Sequence, residues 1–148
     1  EGDIVEYREV LLDKLGYEGV KDRVDFLQGD ACNLKPQFTN YNVVFAGNLI
    51  DRLYEPAMFL NDIQGRILSG GLLVLTSPYT WLEEYTDKSN WLGGVKVNGE
   101  NFSTLDALKK QLTDSFDFLE AVDVPFVIRE TARKHQHTVA QMTIWRKR

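Results

Sequence analysis

Tyr79, Trp81, Glu83, Glu84 and Tyr85 crowd into one short stretch, and Trp91 follows soon after. Aromatic faces attract a cation or stack on a planar ring, a contact worth about 0.5–2 kcal/mol. Carboxylates hold a cation or take up a proton. Each residue also has a plainer reading. The aromatics serve as core, Thr80-Trp81-Leu82-Glu83 has the spacing of a capping box, and both glutamates suit a solvated face. Arg129 and Arg133 offer the bidentate geometry that grips a carboxylate. Alternatively, with Lys134, Arg146, Lys147 and Arg148, they form a basic face that docks the acidic remainder of the chain. His135-x-His137 has the residue types of a metal pair, but two ligands make no site, and strand-edge histidines are the simpler reading. Cys32 reads as a buried, inert thiol.

The element that positions these groups is the stretch from Leu68 to Glu84. Gly70-Gly71 is expected to end a helix, since glycine takes the left-handed conformation of a helix C-terminus without steric cost. Residues 72–75 form a short unbroken apolar run, which reads as a strand buried on both faces. Thr76-Ser77-Pro78 stops it. In open α/β sheets ligands bind in the crevice beyond the carboxyl ends of the strands, so the aromatic and acidic cluster is delivered to a pocket mouth.

Upstream, Ile4, Tyr7, Leu11 and Leu15 fit a helical stripe stopped by Gly16, with an edge strand at 4–10 as the alternative. Val24-Asp25-Phe26-Leu27-Gln28 reads as a strand closed by Gly29-Asp30-Ala31, and residues 41–46 as a second strand ending at Gly47-Asn48. Glu55-Pro56 starts a helix, proline being tolerated in the first turn; Phe59, Leu60, Ile63 and Ile67 are its buried stripe. Strand, helix and strand imply a right-handed parallel crossover. The connection over 77–102 exceeds the ~12–15 residues beyond which loops are usually functional or disordered, and its aromatic content favours a folded lid. Within it Asn98-Gly99 signals a hairpin. Ser103 caps a helix with the stripe Leu105, Leu108 and Leu112. Residues 116–124 supply a strand. In 137–145, Ala140, Met142 and Ile144 share one face and Gln141 and Thr143 the other, which predicts a half-exposed antiparallel strand.

A chain of 148 residues with 43% apolar and 26% charged residues suits one globular domain. No apolar run reaches the ~18 residues that span a bilayer, which argues for no membrane contact. The net charge of −5 argues against a nucleic-acid partner. A single cysteine fits a reducing compartment, the cytoplasm. The chain opens on Glu1-Gly2-Asp3 without an initiator methionine, as a piece of a longer protein would.

Gly29-Asp30-Ala31 after one strand, Asn48 after a second and Leu68-x-Gly70-Gly71-Leu72-Leu73-Val74-Leu75 before a third resemble the later half of a class I S-adenosylmethionine-dependent methyltransferase. A closer resemblance lies in Gly29 to Pro36, Asn48 to Leu53, Thr76 to Glu84, Asn90 to Gly94 and Pro125 to Lys134. Together they look like the C-terminal methyltransferase domain of the bifunctional ovothiol-biosynthesis enzymes, and the likeness covers nearly the whole chain. It implies an α/β fold, the C-terminal part of a Rossmann-like methyltransferase sheet, mostly parallel with an antiparallel final strand. The domain would span 1–148, with a lid-like insertion at about 77–102. It implies S-adenosyl-L-methionine as cofactor and methyl transfer to an imidazole nitrogen of 5-thiohistidine. It also implies docking on an N-terminal iron-dependent sulfoxide synthase region.

The resemblance assigns Asp30, Ala31 and Cys32 to the adenine and Asn48 to the methyl end of the cofactor. Asp30 read without it is a turn aspartate, and Asn48 a turn asparagine. Asn48, Tyr79 and Glu84 become the catalytic candidates; Trp81, Trp91, Arg129 and Arg133 become substrate-binding candidates, and no metal is implied. One departure is plain: no glycine-rich loop following a strand precedes residue 20. In such sheets two further strands lie between those at 24–28 and 43–46. Their absence predicts that the flanking strands re-pair directly or borrow strands by exchange in a homodimer. It also predicts weak or no cofactor binding by this chain alone. The rival readings are a methyltransferase for another small molecule, and a non-catalytic dimerisation or docking module.

Overall fold

The computed structural model describes residues 2–148. Strand β1 (Tyr41–Gly47), helix α1 (Pro56–Ile63) and strand β2 (Ile67–Ser77) form the crossover, and β1 and β2 are parallel. Proline opens α1 in the first turn, as the sequence requires, and Pro56, Phe59, Leu60 and Ile63 are buried. Helix α2 (Thr104–Leu112) starts at a complete capping box, in which Ser103 and Asp106 satisfy each other's backbone N–H. Strands β5 (Phe116–Arg129) and β6 (His135–Lys147) are joined by a short turn and therefore run antiparallel. The sheet order is β1-β2-β6-β5, with β2 and β6 also antiparallel. No helix among the described residues is long and apolar enough to cross a membrane.

Side chains of alternate residues form rows across one face of the sheet, because directly paired residues point the same way. Leu73, Trp145 and Phe118 make one row, and Leu75, Thr143 and Ala121 the next. Leu73, Trp145, Leu60, Leu108, Leu112 and Phe116 are all fully buried in a single core. The more deeply buried face of β6 therefore carries Thr143 and Trp145, while Met142 and Ile144 are half-buried.

Gly70-Gly71 does not end the helix. Helix α1 stops at Ile63, and the glycines lie inside β2, where the register shifts between the pairs Tyr41↔Ile67 and Val43↔Leu72. Gly70 has φ +80°, and a Cβ on Gly71 would lie 2.9 Å from the carbonyl oxygens of Asn42 and Leu68. Positive φ and close backbone approach serve a bulge as well as a helix cap. Ile67, expected on the helix, opens β2 and is still buried.

The front of the chain departs further. Residues 4–15 form neither helix nor paired strand; a 3-10 helix covers Glu18–Arg23, and 24–28 is unpaired. Tyr7 is 92% exposed and Phe26 93%. A strand exists only through its neighbours' hydrogen bonds, and here the outer edge of β1 has no partner among the described residues. Val43 and Phe45 on β1 are more than half exposed. Direct re-pairing of 24–28 with β1 does not occur within one chain.

The connection between β2 and α2 is folded. Leu82 to Thr86 makes one helical turn, closed by Thr86 N–H on the Leu82 carbonyl at 3.1 Å. A 3-10 helix (Lys88–Asn90) follows, then β3 (Val95–Val97) and β4 (Glu100–Phe102). Asn98 and Gly99 both take positive φ, 52° and 86°, as a two-residue hairpin turn demands. At Gly93 the segment touches the start of α2: a Cβ there would sit 2.5 Å from the Ser103 carbonyl. Only glycine permits that approach.

Candidate active site

The carboxyl ends of β1 and β2 meet at a polar rim. Asn48, the first residue past β1, takes φ 50°. Its N–H donates to the Thr76 carbonyl at 2.8 Å, and its Oδ1 accepts the Thr76 hydroxyl at 3.1 Å. The Asn48 side-chain NH2 has no partner among the described residues. The plain turn role is thus fulfilled by one end of the amide, and the other end faces solvent.

The turn beyond β2 is built on a buried carboxylate. Asp51, fully buried, accepts the Ser77 hydroxyl at 2.9 Å and the Thr80 N–H at 3.1 Å. Ser77 Oγ in turn accepts the Tyr79 N–H at 2.9 Å. These bonds hold Tyr79 at φ 55° and aim its ring at β6, where its hydroxyl donates to Gln141 Oε1 at 3.0 Å. Burial, then the charges of Asp123 and Asp51, push the Tyr79 phenol up to about 12. An unfolded tyrosine ionises near ~10. The stability carried by neutral Tyr79 is therefore complete below pH ~10 and is lost as pH rises through about 12. Tyr54 is also pushed up to about 12, chiefly because its hydroxyl donates to Asp30. An absorbance titration should show two late-ionising phenols, one lost in Tyr79→Phe and the other in Tyr54→Phe. Late ionisation unchanged in both variants would contradict the burial of Tyr79 and the Tyr54–Asp30 hydrogen bond.

Asp30 sits in the turn before β1. Its Oδ1 accepts the Cys32 N–H at 2.9 Å, and its Oδ2 accepts the Tyr54 hydroxyl at 2.8 Å. Tyr54 lies in the segment that leaves β1, so Asp30 is tied to the same rim as Asn48 and Tyr79. Asn90 donates to the Tyr54 carbonyl at 3.1 Å and links that corner to the 77–102 segment. Ala31 packs against the core. Cys32 is buried, its thiol donates to the Glu55 carbonyl at 3.4 Å, and burial pushes its pKa up. Of the adenine candidates, then, Asp30 is at the surface and the Cys32 side chain points inward.

The tryptophan and arginine candidates are not brought to this rim. Trp81 is buried, donates to Thr104 Oγ1 at 2.9 Å and stacks on Trp91 at 6.4 Å between centroids. Trp91 donates to the Thr86 carbonyl at 2.9 Å. The Trp81 N–H ties this segment to α2 and the Trp91 N–H ties the segment to itself, which is the core reading of the aromatics. Glu83 and Glu84 are exposed on the turn that follows. Arg129 pairs with His135, far along the β5–β6 hairpin from Gln141, which marks the end of β2. That separation is roughly 20 Å at the rise of a β-strand, and Arg133 lies in the hairpin turn. Neither arginine reaches the rim, because β5 and β6 run on past the sheet. Among the described residues, no three His, Cys, Asp or Glu side chains cluster to hold a metal.

Asp51, Tyr54, Asp123 and Gln141 are members of this rim that residue types alone do not single out. Asp51 lies within the stretch Asn48 to Leu53 already noted for its resemblance, but nothing local marks it as buried.

No protein-family model and no curated protein matches the sequence. Solved structures do. A protein studied for the conversion of a disulfide bond into a thioacetal group during echinomycin biosynthesis matches with a TM-score of 0.58 at 11% identity, over 91% of this chain and 59% of its own. An S-adenosylmethionine-dependent methyltransferase from Methanosarcina mazei matches with a TM-score of 0.53 at 17% identity, over 80% and 65%. The N-methyltransferase NodS from Bradyrhizobium japonicum, solved with S-adenosyl-L-homocysteine, matches with a TM-score of 0.52 at 13% identity, over 94% and 64%. The chain spans less than two thirds of the length of each. It has the α/β, Rossmann-like fold of class I S-adenosylmethionine-dependent methyltransferases, with an antiparallel final strand pair.

Proposed function

We propose that this chain is the acceptor-side part of an S-adenosylmethionine-dependent methyltransferase, acting in the intact protein on an imidazole nitrogen of 5-thiohistidine in ovothiol biosynthesis. The observation that carries the reading is the shared rim. Asn48, Thr76 and Tyr79 stand together where the parallel strands β1 and β2 end, in a fold whose solved neighbours include methyltransferases. The thiohistidine acceptor rests on the sequence resemblance.

The residues present fit one part of the cofactor. Among the described residues, Asp30 offers a surface carboxylate whose Oδ2 is held only by the exposed Tyr54 hydroxyl, and Asn48 offers an uncommitted NH2. The methionine end is unmet: no glycine-rich loop after a strand occurs among the described residues. S-adenosylmethionine, when bound, supplies a methyl group already activated on a sulfonium. The work left to the protein is to position the acceptor and keep water out. Asp30 takes the adenine amino group, Asn48 and Tyr79 orient the reacting end, and Glu84 on the neighbouring turn accepts the released proton. The 77–102 segment acts as the lid of this one domain. A strand added to the free edge of β1, from elsewhere in the longer polypeptide or from a second copy, completes the sheet. We assign the intact enzyme to the cytoplasm, docked on an iron-dependent sulfoxide synthase region.

The open edge of β1, with Val43 and Phe45 exposed, also favours a second reading, a dimerisation or docking module without catalysis. Assay of the intact protein with S-adenosylmethionine and 5-thiohistidine separates the two. The expected result is N-methylated product, with kcat/KM down on the order of 100-fold in Asn48→Ala. Turnover with a different small acceptor would keep the methyltransferase and discard thiohistidine. No turnover and no cofactor binding would leave the docking module.

A further inference from the structure

The face of the sheet that packs against the helices carries apolar rows up to Leu75, Thr143 and Ala121, and then changes character. The next row is Ser77, Gln141 and Asp123, paired directly across β2, β6 and β5. Ser77 is consumed by Asp51 and by the Tyr79 N–H. Gln141 accepts the Tyr79 hydroxyl through Oε1, which leaves its NH2 group unspent. Asp123 is exposed and has no hydrogen-bond or ion-pair partner among the described residues. Its charge is nonetheless felt at Tyr79, where it helps to raise the phenol. A half-buried phenol is thus held in place by Gln141, with an uncompensated carboxylate next to it at the end of the row.

Resting on the methyltransferase reading above, we propose that Asp123 is the specificity-determining residue of the acceptor site and selects a methyl acceptor that carries a primary ammonium group. Gln141 is the positioning residue that fixes Tyr79 beside it. An ammonium of three N–H donors bridges the Asp123 carboxylate and the Tyr79 oxygen, whose lone pairs are free because its proton is given to Gln141. An amino acid acceptor meets this requirement, and its deaminated counterpart does not. The distant Arg129 and Arg133 are not needed for recognition.

The test compares 5-thiohistidine with the same compound lacking its α-amino group, as acceptors for the intact protein and for Asp123→Asn. Asp123 is exposed, so the variant keeps the core. In the unaltered protein the amino compound should be preferred, and Asp123→Asn should raise its KM by about 10–100-fold. The KM of the deaminated compound, the kcat for either and the affinity for S-adenosylmethionine should stay within about 3-fold, a split that a merely structural role of Asp123 does not produce. Gln141→Leu should lower kcat for both compounds and raise the KM of the amino compound alone. If the unaltered protein methylates both acceptors and Asp123→Asn leaves their ratio unmoved, the ammonium site is overturned and the methyltransferase reading survives. If nothing is methylated, that reading fails, and calorimetric titration of 5-thiohistidine alone decides the site. Amine-dependent binding lost in Asp123→Asn supports it, and its absence overturns it.

Discussion

Trp145→Ala is expected to cost about 3–5 kcal/mol of folding stability, enough to unfold a domain of ordinary stability. Trp145 is fully buried on β6, paired with Leu73 on one side and Phe118 on the other. Its ring meets Phe118 in a tilted contact at 4.9 Å between centroids, and its indole N–H donates to Thr143 Oγ1 at 3.0 Å. Alanine removes the largest buried side chain from the row that joins three strands and leaves a cavity walled by two of them. Trp145→Phe keeps most of the apolar volume and should lose roughly 1–2 kcal/mol. Urea unfolding followed by circular dichroism gives both values. A loss below about 1 kcal/mol for the alanine variant would mean that this row is not the centre of the core.

Arg66→Ala should cost about 2–4 kcal/mol and should also loosen the Asp30 corner of the rim. The guanidinium is largely buried and makes five hydrogen bonds: two to Asp62, at 2.6 and 3.1 Å, and one each at 2.8 Å to the carbonyls of Leu34, Lys35 and Phe38. It therefore pins the 34–38 loop to the end of α1, and that loop follows directly on Asp30 and Cys32. Lysine cannot reproduce the fork, so Arg66→Lys should recover less than half of the loss. Hydrogen exchange should quicken over residues 30–40 while the β5–β6 hairpin keeps its protection. Uniform quickening across the sheet would assign Arg66 to global stability alone.

The elements that were legible in the sequence are those decided by local chemistry. Pro56 at the first turn of α1, the Ser103–Asp106 cap, the Asn98-Gly99 turn and the apolar run of β2 each carry their own signal. The parallel crossover then follows from their order. What was not legible depends on partners distant in the chain. Val24 to Gln28 has the pattern of a strand, but a pattern supplies no neighbour, and without one the apolar side chains stay in solvent. Gly70-Gly71 marks a place needing positive φ without saying whether that place is a helix end or a bulge. Trp81 has the same composition as a cage or a core residue, and only Thr104 and Trp91 decide for the core. Arg129 and Arg133 suit a carboxylate clamp until the length of β5 and β6 carries them past the rim. Asp51, Arg66 and Gln141 could not be picked out, since a buried or pinned polar side chain is defined by what surrounds it. The rim itself was half visible: Asp30, Asn48 and Tyr79 were singled out, and the residues that hold them were not.

Calorimetric titration with S-adenosylmethionine is the most direct measurement of the central claim, that Asp30, Asn48 and Tyr79 form one side of a cofactor site completed by a strand on the free edge of β1. This chain alone should show little or no saturable heat. The longer polypeptide that supplies the strand and its glycine-rich loop should bind saturably, and Asp30→Ala in it should weaken binding by roughly 10-fold. Saturable binding by the short chain would contradict the half-site, and no binding by the longer one would contradict the site altogether.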